Sequence, residues 1–200
     1  MIKTYAELLL EYSNYSNAKM KIARLEKEGK IYKVKRGLYE TNRRVDPWKL
    51  ASAIYSPSYI SFQAALAFYG LIPERVNLIM SATTLKNRTK KFNNQFGSYY
   101  YKDVPCKAFG VGIVDYGDNE YNFLIASKEK AICDTLYTIP PVDNQKDIEY
   151  LLFDDLRINE DLFEELDFQT LISIAPLYNS KNLDLLEKYV KRHWLKQSEV

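Results

Sequence analysis

Ten lysines and arginines fall between residues 16 and 44, at positions 19, 21, 24, 27, 30, 33, 35, 36, 43 and 44, against Glu26, Glu28 and Glu40. The stretch carries +7 while the 200-residue chain carries +2, so the remainder sums to −5. Cations gathered this way do one kind of chemistry well: they neutralise the phosphates of a polyanion and release its counterions. Double-stranded DNA is the polyanion that suits a helix followed by a hairpin, which is what the spacing within the stretch predicts.

Ser16 is a suitable N-cap for a helix that runs to Glu28 and stops at Gly29. At 100° per residue, Ala18, Ile22 and Leu25 share one face, and Asn17, Met20, Arg24 and Lys27 share the opposite one. The first face is suited to a core. The second is suited to a DNA groove, where Asn17, Met20 and Arg24 would read base edges and a thymine methyl while Lys19 and Lys21, on the flanks, meet phosphates. After Gly29 the period changes to two: Ile31, Lys33 and Lys35 point one way, and Tyr32, Val34 and Arg36 the other. Gly37 permits a tight turn, and Leu38 to Glu40 return, so Lys33, Lys35 and Arg36 sit on a basic wing. Ahead of this, Thr4 and Glu7 form a capping-box pair for a short first helix, Tyr5 to Tyr12. The expected architecture of residues 1–44 is a winged helix-turn-helix that places its second helix in the major groove.

Residues 45–200 are expected to form a second domain, which makes the chain α+β. Asp46 and Pro47 open a helix over Trp48 to Tyr55, and another spans Phe62 to Tyr69 before Gly70. Strand-forming residues cluster at Leu78 to Ala82, Tyr99 to Lys102, Ala108 to Val114 and Tyr121 to Ala126, with Gly117-Asp118-Asn119 as a turn, and predict a small antiparallel sheet. Ser127 caps a helix, Lys128 to Tyr137, and a last helix covers Leu183 to Leu195. Residues 86–91 carry four cations and read as a solvated loop. Residues 143–167 carry ten acids against Lys146 and Arg157, interleaved with leucines and phenylalanines, which predicts amphipathic helices with acidic outer faces.

Catalytic chemistry finds little to work with. The single histidine, His193, excludes a multi-histidine metal site, and neither a Walker-type nor a dinucleotide-binding glycine loop occurs. Asp115, Asp118 and Glu120 are the acids that a metal-dependent nuclease would use, but they fall at a turn, where acids serve backbone geometry. No catalytic residue, metal ligand or cofactor is expected. Cys106 and Cys133 lack a CxxC partner and are expected to be reduced, buried thiols. No apolar run is long enough for a membrane span or signal peptide, so a cytoplasmic location is expected.

The segment LEKEGKIYKVKRGLYE, followed by SYISFQAALAFYGLIPE, a basic loop, paired strands and LIASKEKAICDTLY, resembles the AbiEi antitoxin family over roughly residues 1 to 140. The resemblance implies a transcriptional autorepressor that binds inverted repeats upstream of its own operon. It also implies an antitoxin of an abortive phage-infection (type IV) system, countering a nucleotidyltransferase toxin without needing a stable complex. The DNA contacts it implies are Asn17, Lys19, Met20, Lys21, Arg24, Lys27, Lys33, Lys35 and Arg36. The alternative from a different class is a non-enzymatic adaptor that binds a basic partner through the acidic helices of 143–167.

Overall fold

The structure, a computed structural model, describes residues 1–117 and 122–197, with residues 193–197 as backbone alone. Strand β1 (Ile2–Thr4) leads directly into helix α1 (Tyr5–Glu11). The Thr4 hydroxyl accepts the Glu7 amide and the Glu7 carboxylate accepts the Thr4 amide, which is the expected capping box. Helix α2 (Ala18–Lys27) is capped by Asn17 rather than Ser16, with Asn17 Oδ1 accepting the Met20 amide at 3.0 Å. The two residue types rank almost equally as caps, so the preceding turn decides between them. Gly29, at φ +66°, ends the helix: its amide donates to Glu26 and that of Lys30 to Leu25, closing the last carbonyls.

Strands β2 (Tyr32–Lys35) and β3 (Leu38–Glu40) form the hairpin, and β1 joins to give a three-stranded antiparallel sheet ordered β1-β3-β2. The expected strict alternation fails in β2. Lys33 pairs with Tyr39 but Lys35 pairs with Leu38, so a bulge at Val34 rotates the end of the strand. The sheet buries both faces. Ile31 and Tyr39 join Leu8, Ile22 and Leu25 in a small core beneath α1 and α2, while Val34 and Leu38 belong to the large core of the rest of the chain.

Asp46 caps a 3-10 turn, Pro47–Leu50, which continues into α3 (Ala51–Ile54). Strand β4 (Ser58–Ile60), α4 (Phe62–Phe68), β5 (Leu78–Thr83), β6 (Lys90–Asn94), β7 (Gly97–Asp103), the short α5 (Cys106–Phe109), β8 (Ile113–Gly117) and β9 (Asn122–Ala126) follow. Six strands make one sheet in the order β6-β7-β5-β4-β9-β8. This corrects the expectation of a small antiparallel sheet: β5 with β7 and β4 with β9 are parallel. The pattern missed β4 because it is only three residues long, and β6 because KKFNN reads as charge before it reads as strand. The strand expected over Ala108 to Val114 begins only at Ile113. Pro105 starts a helical turn, and Gly112, at φ +69°, lies where a Cβ would meet Ile174 and Lys130 side chains at 3.0 Å.

Helix α4 packs on β5, and α6 (Lys128–Tyr137), capped by Ser127, packs on α4 and β9. The acidic region forms α7 (Gln145–Tyr150), a π-helical turn (Leu151–Asp155) and α8 (Glu160–Glu164), as amphipathic spacing predicts. Helices α9 (Phe168–Ile174) and α10 (Lys181–Gln197) pack on α6. Cys133 is buried as expected, but Cys106, in the first turn of α5, is exposed. No helix among the described residues is long and apolar enough to cross a membrane.

The small core has five buried members among the described residues, so losing one is felt throughout it. Ile22→Ala is expected to cost about 2–5 kcal/mol. Hydrogen exchange should then quicken in α1 and α2 while β5 and β7 keep their protection.

Candidate nucleic-acid interface

The helical phase of α2 is realised in three dimensions. Ile22 and Leu25 are buried, while Asn17, Lys19, Met20, Arg24 and Lys27 are exposed, Met20 at 70%. A large thioether left in water on a helix otherwise rich in charge is the least expected member of this face. Lys21 is half-buried, with its ammonium 4.8 Å from the centre of the Tyr15 ring.

Two expected contacts are already engaged. Asn17 Oδ1 is taken by the Met20 amide, which leaves its amide group as the outward function. Arg24 Nε lies 2.6 Å from Glu28 Oε1, and Lys30 Nζ lies 3.0 Å from the other carboxylate oxygen. Hydrogen bonds from Arg24 and then Lys30 hold the Glu28 carboxyl down to about 2. The pair is therefore complete above the ordinary carboxylate pKa and is lost only as pH falls towards that depressed value.

The wing departs further from expectation. Lys33 and Arg36 are exposed, but Lys35 turns away from them and donates to the Ile54 carbonyl at 2.6 Å, half-buried. Burial lowers its pKa. The Val34 bulge is the cause, since it carries Lys35 off the face of Lys33 and onto the body of the protein. Lys35 is thus a tie between hairpin and body and is not presented to a ligand. Two more ties hold the hairpin: Asn94 Nδ2 donates to the Val34 carbonyl at 3.0 Å, and Tyr32 packs edge-on to Phe96 at 6.2 Å between centroids.

Arg43 was missing from the expected contact set. Lys27, Lys33 and Arg43 line one depression of about 380 Å³ with Glu26 and Gln95. The register explains it: β3 pairs Glu40 with Tyr32, so the chain beyond Glu40 runs back past the start of β2. Arg43 belonged to the charge cluster in the sequence, but only the antiparallel pairing brings it to Lys27.

The basic loop of 86–91 is folded back on the protein in part. The Lys86 and Asn87 amides donate to Asp103, while the ammonium groups of Lys86 and Lys91 lie 5.4 and 5.3 Å from the Tyr55 and Tyr100 rings. Of the acids considered for a nuclease, Asp115 lies exposed on β8, bonded to Asn122 at 3.2 Å, and Asp118 and Glu120 fall outside the described residues.

A second polar centre is closed to solvent. Asp134 on α6 accepts from Tyr59 at 2.9 Å, from Ser61 at 2.6 Å and from Tyr178, and lies 3.2 Å from Lys130, which itself donates to the Ala108 carbonyl at 2.6 Å. Desolvation pulls the Lys130 pKa down against the attraction of Asp134 and pushes the Tyr59 and Tyr178 hydroxyls up. Lys130, Asp134 and Ser61 are fully buried, so the cluster joins β4, α5, α6 and the turn at Tyr178 without offering a substrate any access.

The chain matches no protein-family model and no curated protein.

Removing one partner of a buried pair leaves the other charge uncompensated. Asp134→Ala is expected to destabilise by about 3–5 kcal/mol, and the Lys130→Met/Asp134→Leu double variant by less than Asp134→Ala alone. Denaturant midpoints of the three proteins check this.

Proposed function

We propose that the chain is a DNA-binding transcriptional autorepressor, with residues 1–44 acting as a winged helix-turn-helix and α2 as its recognition helix. One observation carries the proposal: Asn17, Lys19, Met20, Arg24 and Lys27 on the outward face of α2 are exposed, and Lys27 also lines the depression that holds the exposed Lys33 and Arg43. Phosphates would be met by Lys19, Lys21, Lys27, Lys33, Arg36 and Arg43, and base edges by Met20 and Arg24.

The topology supports the same reading. Two helices lie between β1 and β2, and the strand order β1-β3-β2 brings the hairpin back beside β1. The segment Pro47–Ile54 is tied to the hairpin through Lys35, on the large-core side of the sheet, and supplies a third helical element. Arg24 is held by Glu28 in the free protein, so binding exchanges one carboxylate for a phosphate or a guanine edge.

The antitoxin role rests on the sequence resemblance to the AbiEi family. In that role the chain is a cytoplasmic, non-enzymatic protein that counters a nucleotidyltransferase toxin from the same operon. Co-expression with the neighbouring gene tests it: restored growth supports the role, and unrelieved toxicity contradicts it.

Binding to the duplex upstream of the chain's own operon, followed by fluorescence anisotropy across a salt series, tests the DNA proposal. Replacing Lys33 and Arg36 together by Ala should weaken binding by about 1–3 kcal/mol and reduce the salt slope by about 2. Lys35→Met should lower thermal stability and leave the slope unchanged. Glu28→Gln, which frees Arg24 and Lys30, should tighten binding by about threefold at low salt. Absence of duplex binding at low salt, or a slope indifferent to Lys33 and Arg36, contradicts the proposal.

A further inference from the structure

Helices α7, α8 and α10, the π-helical turn and Phe168 at the start of α9 line a cleft of about 470 Å³. Its floor is aromatic: Phe153 and Phe163 pack edge-on at 5.3 Å, and Tyr189 lies 6.3 and 6.4 Å from them. Tyr150 stands at the edge, 57% exposed. Around this floor run Glu149, Asp154, Glu160 and Glu164, with Lys146 as the one cation of the lining among the described residues. Among the described residues none of those four carboxylates is ion-paired. The π-helical turn matters here, because its wider register, with the Leu156 amide reaching back to Leu151 at 3.0 Å, carries both Phe153 and Asp154 to the cleft.

A ring floor beneath a carboxylate rim is complementary to an organic cation with a flat or aliphatic body. The rings attract the cation through their faces and the carboxylates accept its hydrogen bonds. A metal ion does not suit it, since no group of three His, Cys, Asp or Glu among the described residues could hold one. DNA is repelled by it. Guanidinium suits it better than ammonium, since it stacks on rings and forms bidentate pairs with carboxylates. The carboxylates also act on the interior together: the Tyr189 hydroxyl is pushed up to about 12, first by burial and then by Glu149, Glu160 and Glu164.

We propose that this cleft docks a basic segment of a partner protein, with an arginine side chain lying on the Tyr150-Phe153 rings and its guanidinium met by the rim carboxylates. The cleft is open at Tyr150, so an occupant stays partly in water, which suits a segment held by further contacts outside it better than a small cation that must be enclosed. None of its lining residues belongs to the N-terminal module, so this site stands or falls apart from the DNA-binding proposal.

The test uses the full chain, a fluorescein-labelled oligo-arginine peptide, and oligo-lysine and spermine as competitors. Oligo-arginine should bind, oligo-lysine more weakly, and spermine should compete poorly. Tyr150→Ala and, separately, Glu160→Gln/Glu164→Gln should each weaken binding about fivefold or more. All three side chains are exposed, and unchanged thermal midpoints would show the variants folded. Affinity indifferent to Tyr150→Ala would reduce the cleft to unspecific charge. Equal displacement by spermine would make it a small-cation site, and a homodimer dissolved by the glutamine variant would make a second copy the occupant; each result overturns the proposal.

Discussion

Three strands of three or four residues cannot stand alone in water, and the N-terminal sheet solves this by burying both its faces. One face, with Ile31 and Tyr39, closes the small core under α1 and α2; the other, with Val34 and Leu38, joins the large core. Every other property of the N-terminal region follows from that constraint. Because the sheet is held from behind, α2 has a fixed attitude, and its polar face is the one left in water. Because the hairpin is tied by Lys35, Asn94 and Tyr32, its exposed cations, Lys33 and Arg36, are presented on a stiff support. Pre-organisation of this kind lowers the ordering cost of meeting a rigid ligand such as a duplex.

The body of the protein is specified differently, by polar groups at its centre. Strand β4 lies in the middle of the six-stranded sheet, and its Tyr59 and the following Ser61 both donate to Asp134 on α6. Lys130, one helical turn away on α6, reaches the Ala108 carbonyl within α5. Phe62, the first residue of α4, adopts φ +56°, a conformation that a bulky residue takes up only when its surroundings impose it. The sharp turn from strand to helix and the buried carboxylate beside it are two sides of one arrangement that locks helix and sheet in register.

Elements written in strong local chemistry were legible in the sequence. The Thr4-Glu7 capping box, the Gly29 stop, the Asp46-Pro47 and Ser127 helix starts and the two faces of α2 follow from residues within a few positions of one another. What was illegible depends on pairing between distant segments. Strand β1 is three residues long and exists because Leu38 to Glu40 lie beside it. β4 is equally short, and β6 is a charged strand made regular by β7. The Val34 bulge could not be read from alternation, and it reassigns Lys35 from a surface contact to an internal tie. Arg43 enters the site by antiparallel return, and the aromatic cleft arises by the convergence of five separate elements. Cys106 was misjudged because the average burial of cysteine says nothing about one at the start of an exposed turn.

If α2 and the hairpin form one duplex-binding face, a bound duplex shields both together. Hydrogen–deuterium exchange of the full chain, with and without the DNA duplex upstream of its own reading frame, reads this out residue by residue. Slowed exchange confined to residues 17–28 and 33–44 is the expected result. Unchanged exchange there, or protection appearing instead over residues 145–164, would contradict it.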